Sequence, residues 1–424
     1  MKMILDIWAA LKKGILHIMS ANAINKIISF LSAMVITRTL TQNDYGIWSY
    51  VLNIFTYLTI VSGFGLASGA FQYGTENHGS QKEYDYYKYC INHGLIIDIA
   101  IVVCVATVIG RGNLSIEGAK YYVISFIPIL LLNYCYDVLM SFLRSQNRIK
   151  EYARCLNINS VVTAAGTCIG SFFGIAGVIF GRYTAILFSI GLLAFVMKGE
   201  IRNIKNGSNL VKDEIRNLWK YSIYMGICSA LNYLVYLIDI SMISNLIGDA
   251  VQVAVYKVGT LIPNALLFIP TSVVTAVLPN FIYHNEDYKW IERNIKKLYV
   301  GLGLLNLFVC FSLEILAPYV ITFVSGDKYN GSIPVFRVLL VGYFFAGTFR
   351  SMSTNLLAIY HKLNEGLAVS IITGITDICL NMYFISALGM IGAAFATMIT
   401  DIIAGIFAFV LLMRFLRKEV YNRI

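Results

Sequence analysis

Apolar runs of about twenty residues recur along the whole chain, which makes lipid its solvent. Because the runs are continuous rather than alternating, they read as helices and not as barrel strands. Spans are expected near 15–37, 47–68, 90–110, 121–143, 155–176, 178–197, 221–246, 258–283, 298–324, 334–358, 366–387 and 389–413. Only 13% of the 424 residues are charged, about half the share in soluble domains. That leaves no room for a soluble catalytic domain. The expected fold class is all-α: a polytopic membrane protein of about 12 transmembrane helices.

The net charge of +10 fits the same plan. With the N-terminus inside, 24 of the 33 Lys and Arg fall in cytoplasmic segments and five in external ones. Such a bias over short loops predicts a multi-pass protein of the cell inner membrane with both termini cytoplasmic. It accounts for the basic balance with no nucleic-acid partner. Residues 3–13, with Trp8 on one face and Lys12 and Lys13 at the end, read as a short helix on the inner surface. The eight cysteines form no CxxC and no Cys/His cluster, so they read as core residues and no metal site is expected. There is no GxxxxGK[ST] and no HExxH. Gly63-x-Gly65 and Gly301-x-Gly303 lack the third glycine and the strand of a dinucleotide site. No catalytic residue and no cofactor are expected.

Two halves echo each other. Asn147-Arg148-Ile149-Lys150-Glu151 precedes the fifth span, and His361-Lys362-Leu363-Asn364-Glu365 precedes the eleventh. The tight turn at Gly174 and Gly177 has its counterpart at Gly389 and Gly392, and Gly46-Ile47-Trp48 resembles Ala254-Val255-Tyr256. These matches predict six-helix lobes, 1–205 and 206–424, joined by a hinge across Lys198–Lys220. Repeats of like orientation place a site between them near the midplane.

Ten ionisable residues fall inside the expected spans: Lys26, Arg182, Arg337, Arg350, Asp98, Asp137, Asp239, Glu314, Asp377 and Asp401. Each would cost about 3 kcal/mol facing lipid, so they must face one another or water. Spacings of three and four put Asn22, Asn25, Lys26 and Ser29 on one face, and likewise Ser229, Asn232, Tyr236 and Asp239. Thr373, Asp377 and Asn381 form another stripe, as do Thr397, Asp401 and Gly405. Tyr343, Gly347, Arg350 and Thr354 are expected to align in the tenth span. The stripes describe a hydrated cavity; interhelical hydrogen bonds are the alternative. Pro263, Pro270 and Pro279 predict a bend in the eighth span.

Thr37-Arg38-Thr39-Leu40-Thr41-Gln42-Asn43-Asp44-Tyr45-Gly46-Ile47-Trp48, with Gly63-Phe64-Gly65-Leu66 closing the second span, resembles the N-terminal signature of the polysaccharide and O-antigen repeat-unit flippases (Wzx-like). These belong to the multidrug/oligosaccharidyl-lipid/polysaccharide exporter superfamily. The resemblance implies a V-shaped exporter of two six-helix lobes. Its substrate would be an oligosaccharide linked through pyrophosphate to undecaprenol, moved by alternating access. An ion gradient, H⁺ or Na⁺, would drive it beside the glycan polymerase machinery and the membrane lipids. Lys26, Arg350, Asn22, Asn25, Arg182 and Arg337 are then the substrate-binding candidates, since cations suit a pyrophosphate. Asp239, Asp377, Asp401, Asp98 and Glu314 are the ion-coupling candidates, because a membrane carboxylate must be protonated, paired or ion-bound. A drug or cation antiporter of the same superfamily is the first alternative. A membrane polymerase or glycosyltransferase is disfavoured by the short external loops.

Overall fold

The computed structural model describes residues 23–283, 288–360 and 362–421, and every regular element among them is a helix. The chain divides into two compact units after Tyr233, inside a single long helix. The first unit holds α1 (23–39), α2 (Gln42–Val61), α3 (Leu66–Glu76), α4 (Gln81–Arg111), α5 (Ala119–Phe126), α6 (Ile129–Ser145), α7 (Ile149–Ser171), α8 (Gly174–Val196) and α9 (Lys198–Lys205). The boundary helix is α10 (Lys212–Leu246). The second unit continues with α11 (Ala250–Leu266), α12 (Phe268–Tyr283), α13 (Tyr288–Ser325), α14 (Ser332–Phe345), α15 (Ser351–Ile359), α16 (Leu363–Leu388) and α17 (Met390–Tyr421).

Nine helical stretches among the described residues are long and apolar enough to cross a membrane. The first expected span begins outside the described residues, where Trp8, Lys12 and Lys13 also lie. The fifth is α7, helical throughout but made polar by Asn157, Asn159, Ser160, Thr163 and Thr167. Part of that polarity is met within the unit: Ser189 of α8 donates to Asn159 Oδ1 at 2.8 Å. The seventh is α10, which is helical across the expected range.

The segment that carries the family resemblance builds a turn. Thr41 caps α2, its Oγ1 accepting from the Asp44 amide at 3.1 Å and donating to Asp44 Oδ2 at 2.8 Å. Tyr45, Gly46, Ile47 and Trp48 are buried directly behind the cap, and Trp48 meets the Phe126 ring edge-on at 5.1 Å. Asp249 caps α11 in the same way, accepting from the Val251 amide at 2.8 Å, and Tyr256 is buried behind it.

The echo between the halves extends to the backbone. The Arg148 amide reaches back five residues to the Leu143 carbonyl, and the Lys362 amide does the same to Leu357, both at 2.9 Å. Gln146 to Phe142 is matched by Tyr360 to Leu356, and Tyr152 to Arg148 by Gly366 to Lys362. Arg148 also forks Glu151 and Glu200, the latter at 2.6 Å, locking the α6–α7 turn to α9.

Glycines set the closest helix approach. An added Cβ at Gly170 would collide with the Gly177 carbonyl, and one at Gly181 with the Gly166 carbonyl. Side chains are thus excluded along the α7–α8 seam, the small-xxx-small solution to packing where lipid supplies no hydrophobic drive.

The segment expected to be a hinge is tied down. After α9, Asp85 of α4 accepts from the Ser208 amide at 2.5 Å, and Lys88 Nζ donates to the Gly207 carbonyl at 2.6 Å. Lys82 pairs with Glu214 at 2.5 Å. That hydrogen bond, aided by the Val211 amide, holds the Glu214 carboxyl below the usual range.

The bend in the eighth span falls at Leu267, between α11 and α12. Pro270 has no N–H for the Leu266 carbonyl, and Tyr343 Oη donates to that carbonyl instead at 3.2 Å. The hydroxyl's single proton is shared between that carbonyl and Asn306 Oδ1, at 3.0 Å, and Asn306 Nδ2 donates to Thr348 Oγ1 at 2.9 Å. Tyr343→Phe removes the substitute donor while keeping the ring. It is expected to cost about 1–2 kcal/mol, read as a lower unfolding temperature in detergent.

Candidate functional site

The second unit brings three of its acidic residues, Asp239, Asp377 and Asp401, into one cluster. Asp239 sits near the end of α10, where three donors converge on it. Asn381 Nδ2 of α16 and Thr397 Oγ1 of α17 each donate at 2.9 Å, and the hydroxyl of the fully buried Tyr256 of α11 donates at 2.5 Å. One turn before Asn381 on α16 lies Asp377, only 2% exposed, within electrostatic reach of Asp239, Asp401 and Arg350. Asp401 of α17 pairs with Arg350 at 2.7 Å. Asp377 Oδ2, Asn381 Oδ1 and Thr400 Oγ1 are buried without a hydrogen-bond partner. Three carboxylates therefore share the site with two cations, Arg350 paired to Asp401 and Lys257 within electrostatic reach of Asp239, and its spare ligands are oxygens. Among the described residues no three acidic, His or Cys side chains lie close enough to hold a metal ion together.

Helix irregularity aims Arg350 at this cluster. Between α14 and α15, residues Ala346–Arg350 wind as a π-helix, which inserts extra chain and rotates the facing of the residues beyond it. The expected single stripe of Tyr343, Gly347, Arg350 and Thr354 is thereby split. Tyr343 turns to Asn306 and the Leu266 carbonyl, whereas Arg350 turns to Asp401. Gly347 lies under Pro270, where an added Cβ would come within 3.2 Å of the proline ring.

The first unit has a separate acidic site. Gly63-Phe64-Gly65 does not close the second span as expected; it breaks it, and α3 continues to Glu76. Gly63, Phe64 and Gly65 take φ of 54°, 45° and 77°, a left-handed run that a non-glycine adopts at a cost of about 1–2 kcal/mol. Asp98 of α4, fully buried, takes the amide and hydroxyl freed there. Its Oδ1 accepts from the Gly63 amide at 2.8 Å and its Oδ2 from Ser62 Oγ at 2.6 Å. Tyr134 fills the space above Gly63 and Gly94, neither of which tolerates a Cβ. Asp98→Ala leaves two buried donors unmet beside a strained turn. The expected loss is about 2–4 kcal/mol of stability, measured as a drop in unfolding temperature that Asp98→Asn partly restores.

The other candidates lie apart from both sites. Glu314 of α13 and Arg337 of α14 pair with each other at 3.4 Å, each about half exposed. Lys26 is exposed on α1, and the neighbouring Asn25 Oδ1 is buried with no hydrogen-bond partner. Arg182 on α8 has a buried Nε without a partner. Asn22 lies outside the described residues. Tyr256 is legible in the sequence only as a repeat match to Trp48, and Ser62 only as the residue before a glycine pair; neither signal marks a ligand of an acid.

Long apolar helices packed in two units around charged clusters define an all-helical, multi-pass membrane protein. The chain belongs to the polysaccharide biosynthesis protein family, which it matches over residues 11–284. It is 22% identical over 419 residues to the uncharacterized membrane protein MJ1375 of Methanocaldococcus jannaschii, covering 94% of this chain and 98% of that one. The fold is shared with the lipid II flippase MurJ in an inward closed conformation, at TM-score 0.76 and 15% identity over 96% of this chain and 90% of that one. It is shared too with an inward-facing multidrug resistance MATE family transporter, at TM-score 0.67 and 14% identity over 94% and 96%. A third likeness is to a MOP superfamily transporter from Pyrococcus furiosus, at TM-score 0.62 and 17% identity over 96% of each chain.

Proposed function

We propose that this protein is a flippase that moves an undecaprenyl-pyrophosphate-linked oligosaccharide across the inner membrane by alternating access, coupled to an H⁺ or Na⁺ gradient. Family membership supports the glycan, and the likeness to a lipid II flippase supports a lipid-linked substrate. The observation that carries the coupling is the excess of negative charge in the second unit. Asp239, Asp377 and Asp401 stand against two cations, Arg350 in a salt bridge with Asp401 and Lys257 within electrostatic reach of Asp239, which leaves one negative charge over, and uncompensated charge inside a membrane protein is costly. A proton on Asp377, or a Na⁺ held by Asp239, Asp377, Asn381 and Thr397, removes that cost. The oxygen-only ligand set suits a hard monovalent cation.

Substrate contact falls to the cations and amides of the first unit. Lys26 and Asn25 on α1 present one exposed ammonium and one unpaired acceptor, and Arg182 a guanidinium short of a partner. Arg350 acts through Asp401, linking substrate and ion states. The chain would then work as two six-helix lobes, 1–205 and 206–424, of an inner-membrane carrier with both termini cytoplasmic. Lys26→Ala is expected to abolish surface glycan while the protein stays in the membrane. Lys26→Arg, which keeps charge but not geometry, is expected to be milder. Normal glycan display in Lys26→Ala removes the substrate site from α1. A drug antiporter of the same fold is favoured over the flippase by one observation, that Arg350 and Arg337 are both already paired with acids. Export of cationic dyes by a strain that displays no glycan under any condition would support that reading.

A further inference from the structure

We propose that the basic end of the second unit holds a resident anionic phospholipid, of the phosphatidylglycerol or cardiolipin class, in a groove between α13 and α17. This goes beyond the transport reading and does not depend on it. A cavity of about 500 Å³ opens between these helices. Its rim carries three cations, Lys296 from α13 and Arg414 and Arg417 from α17. Arg414 and Arg417, three residues apart, share one face of their helix and stand exposed, as does Lys296 across the groove. Guanidinium forks suit phosphate oxygens, and basic pockets between helices at a membrane surface select anionic headgroups. A choline headgroup would bring a fourth positive charge to the rim.

Below the rim the groove is apolar and its floor is fixed. Tyr299 hydrogen-bonds Ser353 at 2.7 Å, stacks on Phe349 and meets the edge of Phe409 at 5.0 Å. Ile295, Met352 and Leu412 pack the layer beneath. A floor so braced keeps the slot from collapsing. Leading away from the cations, Val300, Leu304, Phe308, Phe311 and Ile315 stand 60–70% exposed at helical spacing on α13. At 1.5 Å per residue that track is about 22 Å long, longer than the roughly 15 Å depth of one leaflet. On α17 Val410 lines the groove, and Ile406 and Ile403, exposed one and two turns before it, continue the same helix face. Nothing lies within 4 Å of a Cβ added at Gly301, so the α13 surface is open where the chain would enter. Three cations over a chain-length apolar track are complementary to one molecule with a phosphate head and an acyl tail.

The test is native mass spectrometry of the full chain released from nanodiscs made of equal phosphatidylcholine and phosphatidylglycerol. The parent is expected to retain phosphatidylglycerol at least tenfold over phosphatidylcholine. Each cation near an anionic surface contributes roughly fivefold, so Lys296→Gln/Arg414→Gln/Arg417→Gln together are expected to remove the preference. Val300→Trp, which fills the groove and leaves every charge, is expected to lose bound lipid of both kinds. Arg414→Gln alone should lower the preference about fivefold, and it decides the matter if the triple variant fails to fold. Equal retention of the two lipids by the parent would overturn the proposal. So would a preference unchanged in Arg414→Gln and Val300→Trp, or an adduct whose mass is that of a lipid-linked glycan or a peptide.

Discussion

Asp239→Ala is expected to abolish the response to an ion gradient and to lower stability by about 2–5 kcal/mol. Three side chains, Tyr256, Asn381 and Thr397, spend a hydrogen bond on this one carboxylate. Interhelical hydrogen bonds in membrane proteins average about 0.6 kcal/mol and reach about 1.7, which sets the range for three lost together. Asp239→Asn keeps one acceptor and the side-chain shape. Its unfolding temperature should lie close to that of the parent, while its gradient response is lost with the charge. The pair separates the two roles of the residue. Were Asp239→Asn to respond to H⁺ and Na⁺ gradients like the parent, the carboxylate would be a structural acceptor only.

The amino-acid sequence reveals the helices more fully than it reveals the site they carry. Apolar runs locate the helices because lipid leaves the backbone no other choice, and ranges such as 298–324 and 334–358 fall within α13 and the α14–α15 stretch. The acids of the second unit are legible because Asp377 with Asn381, and Thr397 with Asp401, recur at one helical turn. Regular helix geometry fails at the places that stay hidden. Spacing rules assume 3.6 residues per turn, so the π-helical segment at Ala346–Arg350 redirects Arg350 to Asp401 without any trace in periodicity. The left-handed run at Gly63-Phe64-Gly65 turns a supposed span end into a break, and Asp98 into its partner. Pairings between distant helices, such as Glu314 with Arg337, are set by packing and not by local sequence.

Gly170→Leu is expected to have the largest structural effect, a loss of membrane-inserted protein. Its side chain would start inside the Gly177 carbonyl and against the Val178 amide. Backbone cannot step aside as a flexible side chain can, so α7 and α8 must part, and with them the neighbouring Gly166–Gly181 contact. Overpacking of a well-filled site costs about 1–3 kcal/mol or more, and here no rotamer escapes it. Even Gly170→Ala meets the same carbonyl. Gly191→Ala, on the same α8 but with nothing within 4 Å of the added carbon, should be neutral or stabilising by up to about 1 kcal/mol. Quantitative blotting of purified membranes compares the three. Parent-level accumulation of Gly170→Leu would mean that the seam is not close-packed.

Coupled flipping is tested most directly by translocation in vesicles. The full chain is reconstituted with undecaprenyl-pyrophosphate-linked oligosaccharide, an H⁺ or Na⁺ gradient is imposed, and the glycan reaching the opposite face is trapped by a lectin. Translocation is expected to need the protein, one of the two gradients to accelerate it, and Asp239→Asn to remove the acceleration without unfolding the chain. No protein-dependent translocation under either gradient, or acceleration that survives in Asp239→Asn, Asp377→Asn and Asp401→Asn alike, would contradict a flippase coupled through these acids.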